Sequence, residues 1–389
     1  MNAMNYLMFS PHFPPNYYSF SVSLKQMGVN VLGMADAPYH ELHPELQAAL
    51  TEYYRLNDAH SYDEKIRAMG YFIHRYGKID RLESHNEYWL ESDARLRSDF
   101  NIPGLRMMEM ERIKRKSKMK AVFLQAGIPV ARGRVVHTLE DALSLVAEIG
   151  FPLIAKPDIG VGASMTYKLK DRAALETFFQ HKLPVDYIFE EFIQGTIVSF
   201  DGLTDQDGKI VFYSAMHFNE GVMDLVNDGL DMWYYTLRDI PQDLLSYGMR
   251  LASVYQLRER FFHFEFFRKP DSSLTILEVN MRPPGGQTTD MWNFANDIDI
   301  YREYASVVVN NAFTAAVTRP YYCGYIGRRR HKPYLHSHEE ILSFFHQQIP
   351  HHAPMSGVFA PALGDYGYIV RSPDLEEVTK IAGSILELR

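Results

Sequence analysis

A single cysteine, Cys323, stands among the 389 residues. No disulfide can form within the chain, which excludes the small disulfide-stapled scaffolds and agrees with a cytoplasmic protein. Basic residues are not in excess: the formal net charge is -8, so no nucleic-acid partner is expected. No apolar run approaches the roughly 18–20 residues of a membrane-spanning helix. The opening "MNAMNYLMFSPHFPPNYY" lacks a basic start followed by a sustained apolar stretch, so neither a signal peptide nor a membrane anchor is expected. No glycine-rich dinucleotide fingerprint follows the first strand, and the GxxxxGK[ST] phosphate loop is missing. The histidine-rich "YLHSHEEILSFFHQQIPHHAP" has neither cysteine nor HExxH spacing, which argues against a transition-metal centre.

What is present reads as alternating strands and helices. "NYLMFSPHFPP" is a strand entering a loop, "YSFSVSLKQMG" a helix closed by Gly28, and "VNVLGMAD" a second strand, a βαβ opening with a parallel sheet. "IDRLESHNEYWLESDARLRSDFNIPGL" continues the alternation. From Glu109 the character changes. "EMERIKRKSKMKAVFLQAGIPVARGRVV" starts as a basic helix that ends at Gly127 and Pro129. A second amphipathic helix, "LEDALSLVAEIG", precedes "FPLIAKPDIGVGASMTYKL", read as strand, glycine turn and strand. "YIFEEFI" is a strand and "TIVSFDGLTDQDGKIVFYSAMHF" a hairpin turning at "DQDG". Helices are expected over "DLLSYGMRLASVYQL" and from about Tyr301 to Asn310, with a strand and an amphipathic helix in the tail. These shifts divide the chain into 1–105, 106–190 and 191–389.

The chemistry concentrates in "FFHFEFF", Phe261 to Phe267, and "ILEVNMRPPGG", Ile276 to Gly286. A strand shows one face at every second residue, so His263 and Glu265 share a face, as do Glu278, Asn280 and Arg282. A hairpin symmetric about Asp271 and Ser272 sets Glu265 opposite Glu278 and His263 opposite Asn280. Two facing carboxylates in an apolar sheet repel and lose hydration, which a proton or an intervening cation relieves. Glu, Glu and Asn are hard oxygen donors of the kind that suit Mg²⁺, and Mg²⁺ travels with phosphates. Arg282 is placed to meet a phosphate oxygen. Lys156 ends an apolar strand ahead of Gly160, Gly162 and Ser164, where backbone N–H groups can cradle an anion. "YIFEEFIQG" offers strand backbone, with Phe192 and Ile193, for a purine.

Taken in order, these motifs resemble the ATP-grasp superfamily, and "LEVNMRPPGG" looks most like its carboxylate–amine ligases; the resemblance covers most of the chain. It implies a mixed α/β (α+β) chain: an N-terminal open parallel-sheet, pre-ATP-grasp domain, then a two-subdomain ATP-grasp fold. It also implies ATP and one or two Mg²⁺ ions as cofactors, with Mn²⁺ as a substitute. Lys116, with Lys118 as its rival, matches the first nucleotide lysine and Lys156 the second. Gly160, Gly162 and Ser164 match the flap over the phosphates, and Glu190, Glu191, Phe192 and Ile193 the adenine segment. Glu265, Glu278 and Asn280 match the metal ligands. Arg282 matches the arginine at the transferred phosphoryl group. His263 and His217 are the candidates for a general base. The partners implied are a small carboxylate and an amine, and a homodimer is common in the group. Other reactions of the superfamily, carboxylation or small-molecule phosphorylation, and a non-catalytic nucleotide-binding role remain as alternatives. One departure stands out: Thr196 and Ile197 occupy the place where many members carry a ribose-binding acid.

Overall fold

The computed structural model describes residues 3–160, 165–219, 230–355 and 357–389. Three sheets organise them. The first is parallel, in the order β3 (Glu52–Arg55), β2 (Asn30–Ala35), β1 (Asn5–Phe9), β4 (Arg81–Glu83). All five residues of β1 are buried, as a strand must be when both sheet faces are covered. The helix Tyr18–Gln26 joins β1 to β2, giving the expected βαβ opening, and Gly28 follows it at φ 81°, a conformation glycine adopts freely.

The second sheet is antiparallel, in the order β5 (Gly133–Val136), β8 (Tyr187–Glu191), β6 (Leu153–Pro157), β7 (Tyr167–Leu169). Helices Leu139–Ile149 and Arg172–His181 cover it, burying Leu145, Leu153, Phe178 and Phe189 in one cluster. Each helix starts on a side-chain cap, Thr138 with Asp141 and Asp171 with Ala174.

The third sheet is antiparallel. Its order is β13 (Leu274–Asn280), β12 (Arg260–Arg268), β9 (Thr196–Thr204), β10 (Ile210–Phe218), β11 (Trp233–Thr236), β14 (Tyr322–Arg328), β16 (Tyr366–Ser372), β15 (His351–Pro354). Helix Gln242–Val254 packs on its β9 and β12 side, and helix Leu375–Leu386 on β14 and β16. The sequence border at 190 falls one residue before the end of β8.

The first and third sheets are joined by a shared core. Tyr6, Met8 and Phe20 of the first unit pack with Phe212, Phe261, Trp292 and Tyr304 of the third. A buried ion cluster reinforces this seam: Glu83 on β4 pairs with Arg97 at 2.6 Å and with Arg260 on β12. No helix among the described residues is long and apolar enough to cross a membrane.

Candidate active site

The hairpin of β12 and β13 pairs His263 with Asn280 and Glu265 with Glu278, as the sequence predicts. The route differs from the symmetric turn. Asp271 accepts from the Ser273 N–H at 2.9 Å and Oγ at 2.7 Å, and Lys269 donates to the Ser273 carbonyl at 2.9 Å. The turn therefore centres on Asp271, and near it the ladder runs one residue out of the expected register, with Arg268 opposite Leu274. Leu277 is the extra residue of a bulge between the Glu265 and Phe266 pairings, and it brings Glu278 back opposite Glu265.

Strand β9, on the other side of β12, extends both rows: Asp201 lies beside His263 and Ser199 beside Glu265. The His263 ring is buried between carboxylates, its Nδ1 2.5 Å from Asp201 Oδ1 and its Nε2 2.8 Å from Glu265 Oε1. Burial works against its charge, but Asp201 and Glu265 outweigh it and raise its pKa to about 9. His263, expected as a candidate base, thus has both ring nitrogens engaged by carboxylates and does not line the cleft. Burial likewise opposes ionisation of Glu265, yet His263, Arg282 and Lys156 hold its pKa below the usual value. His217, the rival base, stacks on Tyr235 with ring centroids 5.3 Å apart and lies off the cleft.

The single basic helix is in fact two, Met107–Lys114 and Lys116–Gln125, with Arg115 extended between them at φ -95° and ψ 113°. No proline or glycine breaks it. Buried Asp158, just after β6, draws the chain in: it accepts from Ser117 N at 2.7 Å, Ser117 Oγ at 2.8 Å and Arg115 at 3.1 Å. The break puts Lys116 in the first turn of the second helix, facing the cleft, while Lys118 is exposed to solvent. Lys156 is buried on β6, its ammonium 2.8 Å from Glu190, whose other oxygen meets Lys120 at 2.6 Å. Burial lowers the pKa of Lys116. Burial acts the same way on Lys156, but Glu190, with Glu278 and Glu265, reverses the shift and raises it. Lys120 carries no motif that sequence reading could use; it is found only through Glu190.

These groups meet in a cleft of about 460 Å³, within the range of about 300–1,000 Å³ common for small-molecule sites. Its lining combines charged and polar groups, Lys116, Lys156, Glu265, Glu278, Asn280 and Arg282, with apolar ones, Met119, Ile154, Phe192, Ile193, Phe267 and Leu277. The carboxylates of Glu190 and Glu191 are turned to other work, Glu190 on its two lysines and Glu191 on the Arg132 N–H and guanidinium at 2.8 Å. What this segment leaves for a planar ring is backbone and apolar side chains. Gln194 also lines the cleft, as does Ile197 of the pair that replaces the ribose acid. Gly195 lies against β12 so closely that a Cβ would sit 2.5 Å from the Arg268 carbonyl oxygen. Of the expected flap, Gly160 lines the cleft and accepts from Lys116 at 3.2 Å; Gly162 and Ser164 lie outside the described residues.

One lining residue comes from the first unit. Glu87, in the loop after β4, takes Lys114 at 3.0 Å and approaches the Arg282 guanidinium at 3.6 Å. Nothing in "SHNEYW" marks Glu87 for this; only the tertiary fold brings it there.

Among the described residues no three His, Cys, Asp or Glu side chains form a metal-holding cluster. The set at hand is two carboxylates and an amide, with Asn280 donating to Glu278 at 3.4 Å so that its oxygen stays available. That is the donor set of Mg²⁺, which keeps waters and draws further ligands from phosphates.

No family profile matches the chain. Among curated proteins, the L-arginine-specific L-amino acid ligase of Bacillus subtilis is 24% identical over 249 residues, covering 59% of this chain and 60% of that protein. The chain spans 16% to 60% of the length of the first curated relatives it matches. Among solved structures, the L-amino acid ligase from Bacillus licheniformis superposes with a TM-score of 0.75 at 15% identity, covering 98% of this chain and 96% of that one. N5-carboxyaminoimidazole synthetase from Staphylococcus aureus, complexed with ADP, superposes with a TM-score of 0.74 at 12% identity, with coverage of 98% and 96%. With the parallel sheet leading and a cleft between two antiparallel sheets, the chain shares its fold with this L-amino acid ligase and this N5-carboxyaminoimidazole synthetase.

Proposed function

We propose that this protein is an ATP- and Mg²⁺-dependent ligase that joins a small carboxylate to an amine. The carboxylate takes the γ-phosphoryl group of ATP to give an acylphosphate and ADP; the amine then attacks the acyl carbon and expels phosphate. The observation that carries this reading is the mixed lining of one cleft: two lysines, an arginine, two glutamates and an asparagine together with the apolar Met119, Phe192 and Ile193. Phosphoryl transfer needs positioning and charge neutralisation more than covalent help from the protein.

In this reading Phe192, Ile193 and Met119 clasp the purine, with Gln194 near the ribose. Lys116 and Lys156 hold phosphate oxygens. Glu265, Glu278 and Asn280 would hold Mg²⁺, which would supply charge neutralisation for the phosphates. Arg282 steadies the transferred group and the anionic acylphosphate, with Glu87 fixing its guanidinium. The three sheets correspond to the three units of 1–105, 106–190 and 191–389. ADP in a solved structure of the same fold supports the nucleotide.

The test is phosphate release from Mg²⁺ and ATP in the presence of pooled amino acids and other small carboxylates. Release should require both an acid and an amine, and Glu278→Gln should abolish it while leaving the thermal unfolding midpoint unchanged to within a few degrees. Equal phosphate release by Glu278→Gln and the unchanged protein would overturn the assignment.

A further inference from the structure

Two rows of polar side chains cross three neighbouring strands on one face of the large sheet. The first runs Asp201, His263, Asn280; the second runs Ser199, Glu265, Glu278. Only the β12 and β13 ends carry cleft-lining groups: Glu265, Glu278 and Asn280 line it, whereas Ser199, Asp201 and His263 do not. The three hidden groups are nonetheless linked to it. Ser199 Oγ donates to Asp201 Oδ2 at 2.7 Å, Asp201 Oδ1 lies 2.5 Å from His263 Nδ1, and His263 Nε2 lies 2.8 Å from Glu265 Oε1. Ser199 and Asp201 are fully buried.

A buried carboxylate such as Asp201 is costly unless it is paired and hydrogen-bonded. Here it is held from both sides, and among the described residues its hydrogen-bonded route to the cleft runs through His263. The ring in turn occupies one oxygen of Glu265 and leaves the other for the cleft. A carboxylate bonded in this way is held in one orientation, and the hydrogen bond to one oxygen favours the other as the ligand to a cation.

We propose that Asp201 and His263 are positioning residues that lock Glu265 into a one-oxygen ligand posture toward Mg²⁺. The inference rests on the reading of Glu265 and Glu278 as Mg²⁺ ligands. Partners of this kind set ligand orientation, and their loss commonly costs about 10–100-fold in metal affinity or activity. Asp201 and His263 touch neither nucleotide nor metal in this arrangement. Their removal therefore separates the metal from the nucleotide.

The experiment is calorimetric titration of ADP into the full chain, with EDTA and across a series of Mg²⁺ concentrations, for the unchanged protein, Asp201→Asn and His263→Gln. Asp201→Asn keeps the side-chain shape and a hydrogen-bond acceptor, so it guards against loss of fold. The expected result is unaltered ADP affinity in EDTA, with roughly 10–100-fold more Mg²⁺ needed for the half-maximal gain in affinity. Ser199→Ala should move the Mg²⁺ requirement in the same direction by less. An unchanged Mg²⁺ requirement in both principal variants would overturn the inference. So would equal loss of ADP affinity with and without Mg²⁺, which marks a merely structural role. If ADP binds the unchanged protein without any response to Mg²⁺, the metal assignment fails first and takes this one with it. That case is told apart because the unchanged protein itself is unresponsive.

Discussion

Lys156 and Lys118 carry the same charge and meet different fates. Lys156 is 7% exposed and shares Glu190 with Lys120, whereas Lys118 faces solvent. Hydrogen bonds to charged groups are worth about 1.5–3 kcal/mol, so Lys156→Ala should weaken ADP binding about tenfold or more. Lys118→Ala should leave it unchanged, and equilibrium ADP titration checks both. Sequence reading could place Lys156, because it ends an apolar strand before glycines. It chose Lys116 over its rival Lys118 on the resemblance alone, because the physical difference between them depends on where the helix starts. A second prediction concerns His85, buried at φ 56° with its ring stacked 4.3 Å from Phe20. Burial pushes its pKa down to about 4. Because the unfolded chain takes the proton more readily, this residue leaves stability untouched above about pH 6.5. It then costs increasing stability as pH falls toward 4, roughly 3 kcal/mol in all. His85→Asn tolerates the left-handed backbone and should flatten that slope, read as urea midpoints at pH 7 and pH 4.5.

At the scale of elements, periodicity was informative wherever both ends of a strand or helix are local. The βαβ opening, the hairpin at "DQDG", the helix ending at Asn310 and the tail follow from alternation, turn residues and caps. Two features escaped. The bulge at Leu277 compensates for a turn one residue out of step, so the facing glutamates were reached from a turn geometry that does not occur. The break at Arg115 is made by Asp158, 43 residues away in sequence, and no helix propensity encodes it. Asp158→Ala removes three hydrogen bonds that seat the start of the Lys116 helix. Loss of a helix cap costs about 0.5–2 kcal/mol, and more follows when a buried charge loses its partners. We expect a lower thermal midpoint together with weaker ADP binding, measured on one sample by scanning calorimetry with and without nucleotide. A lower midpoint with full nucleotide affinity would mean that the break is not what places Lys116.

For the whole molecule, the relevant fact is that the first unit has one core of its own, around Leu32, Met69 and Phe72, and shares a second with the third sheet. Tyr6, Met8 and Phe20 share a cluster with Phe261, Trp292 and Tyr304, the Tyr6 and Tyr304 hydroxyls lie 2.6 Å apart, and Glu83 is charge-matched by Arg260 across the seam. The first and third sheets should therefore melt together, with one calorimetric transition in which residues 1–105 do not separate; a distinct early transition for that region would contradict it. The order of the units could be read along the chain, but their dependence on one another could not, since residues of one period pack equally well on any apolar face. Glu87 carries the consequence furthest. Its loop belongs to the parallel sheet, yet its carboxylate sits between Lys114 and Arg282 in the cleft. The cleft thus cannot be transplanted whole with residues 106–389. A chimera that grafts residues 106–389 onto a foreign leading domain would inherit every lysine and carboxylate named by the motifs. It would still arrive with Arg282 held only by the Pro283 carbonyl and without the Glu87 carboxylate beside it, unless the graft also supplies an acid from the loop after the fourth strand.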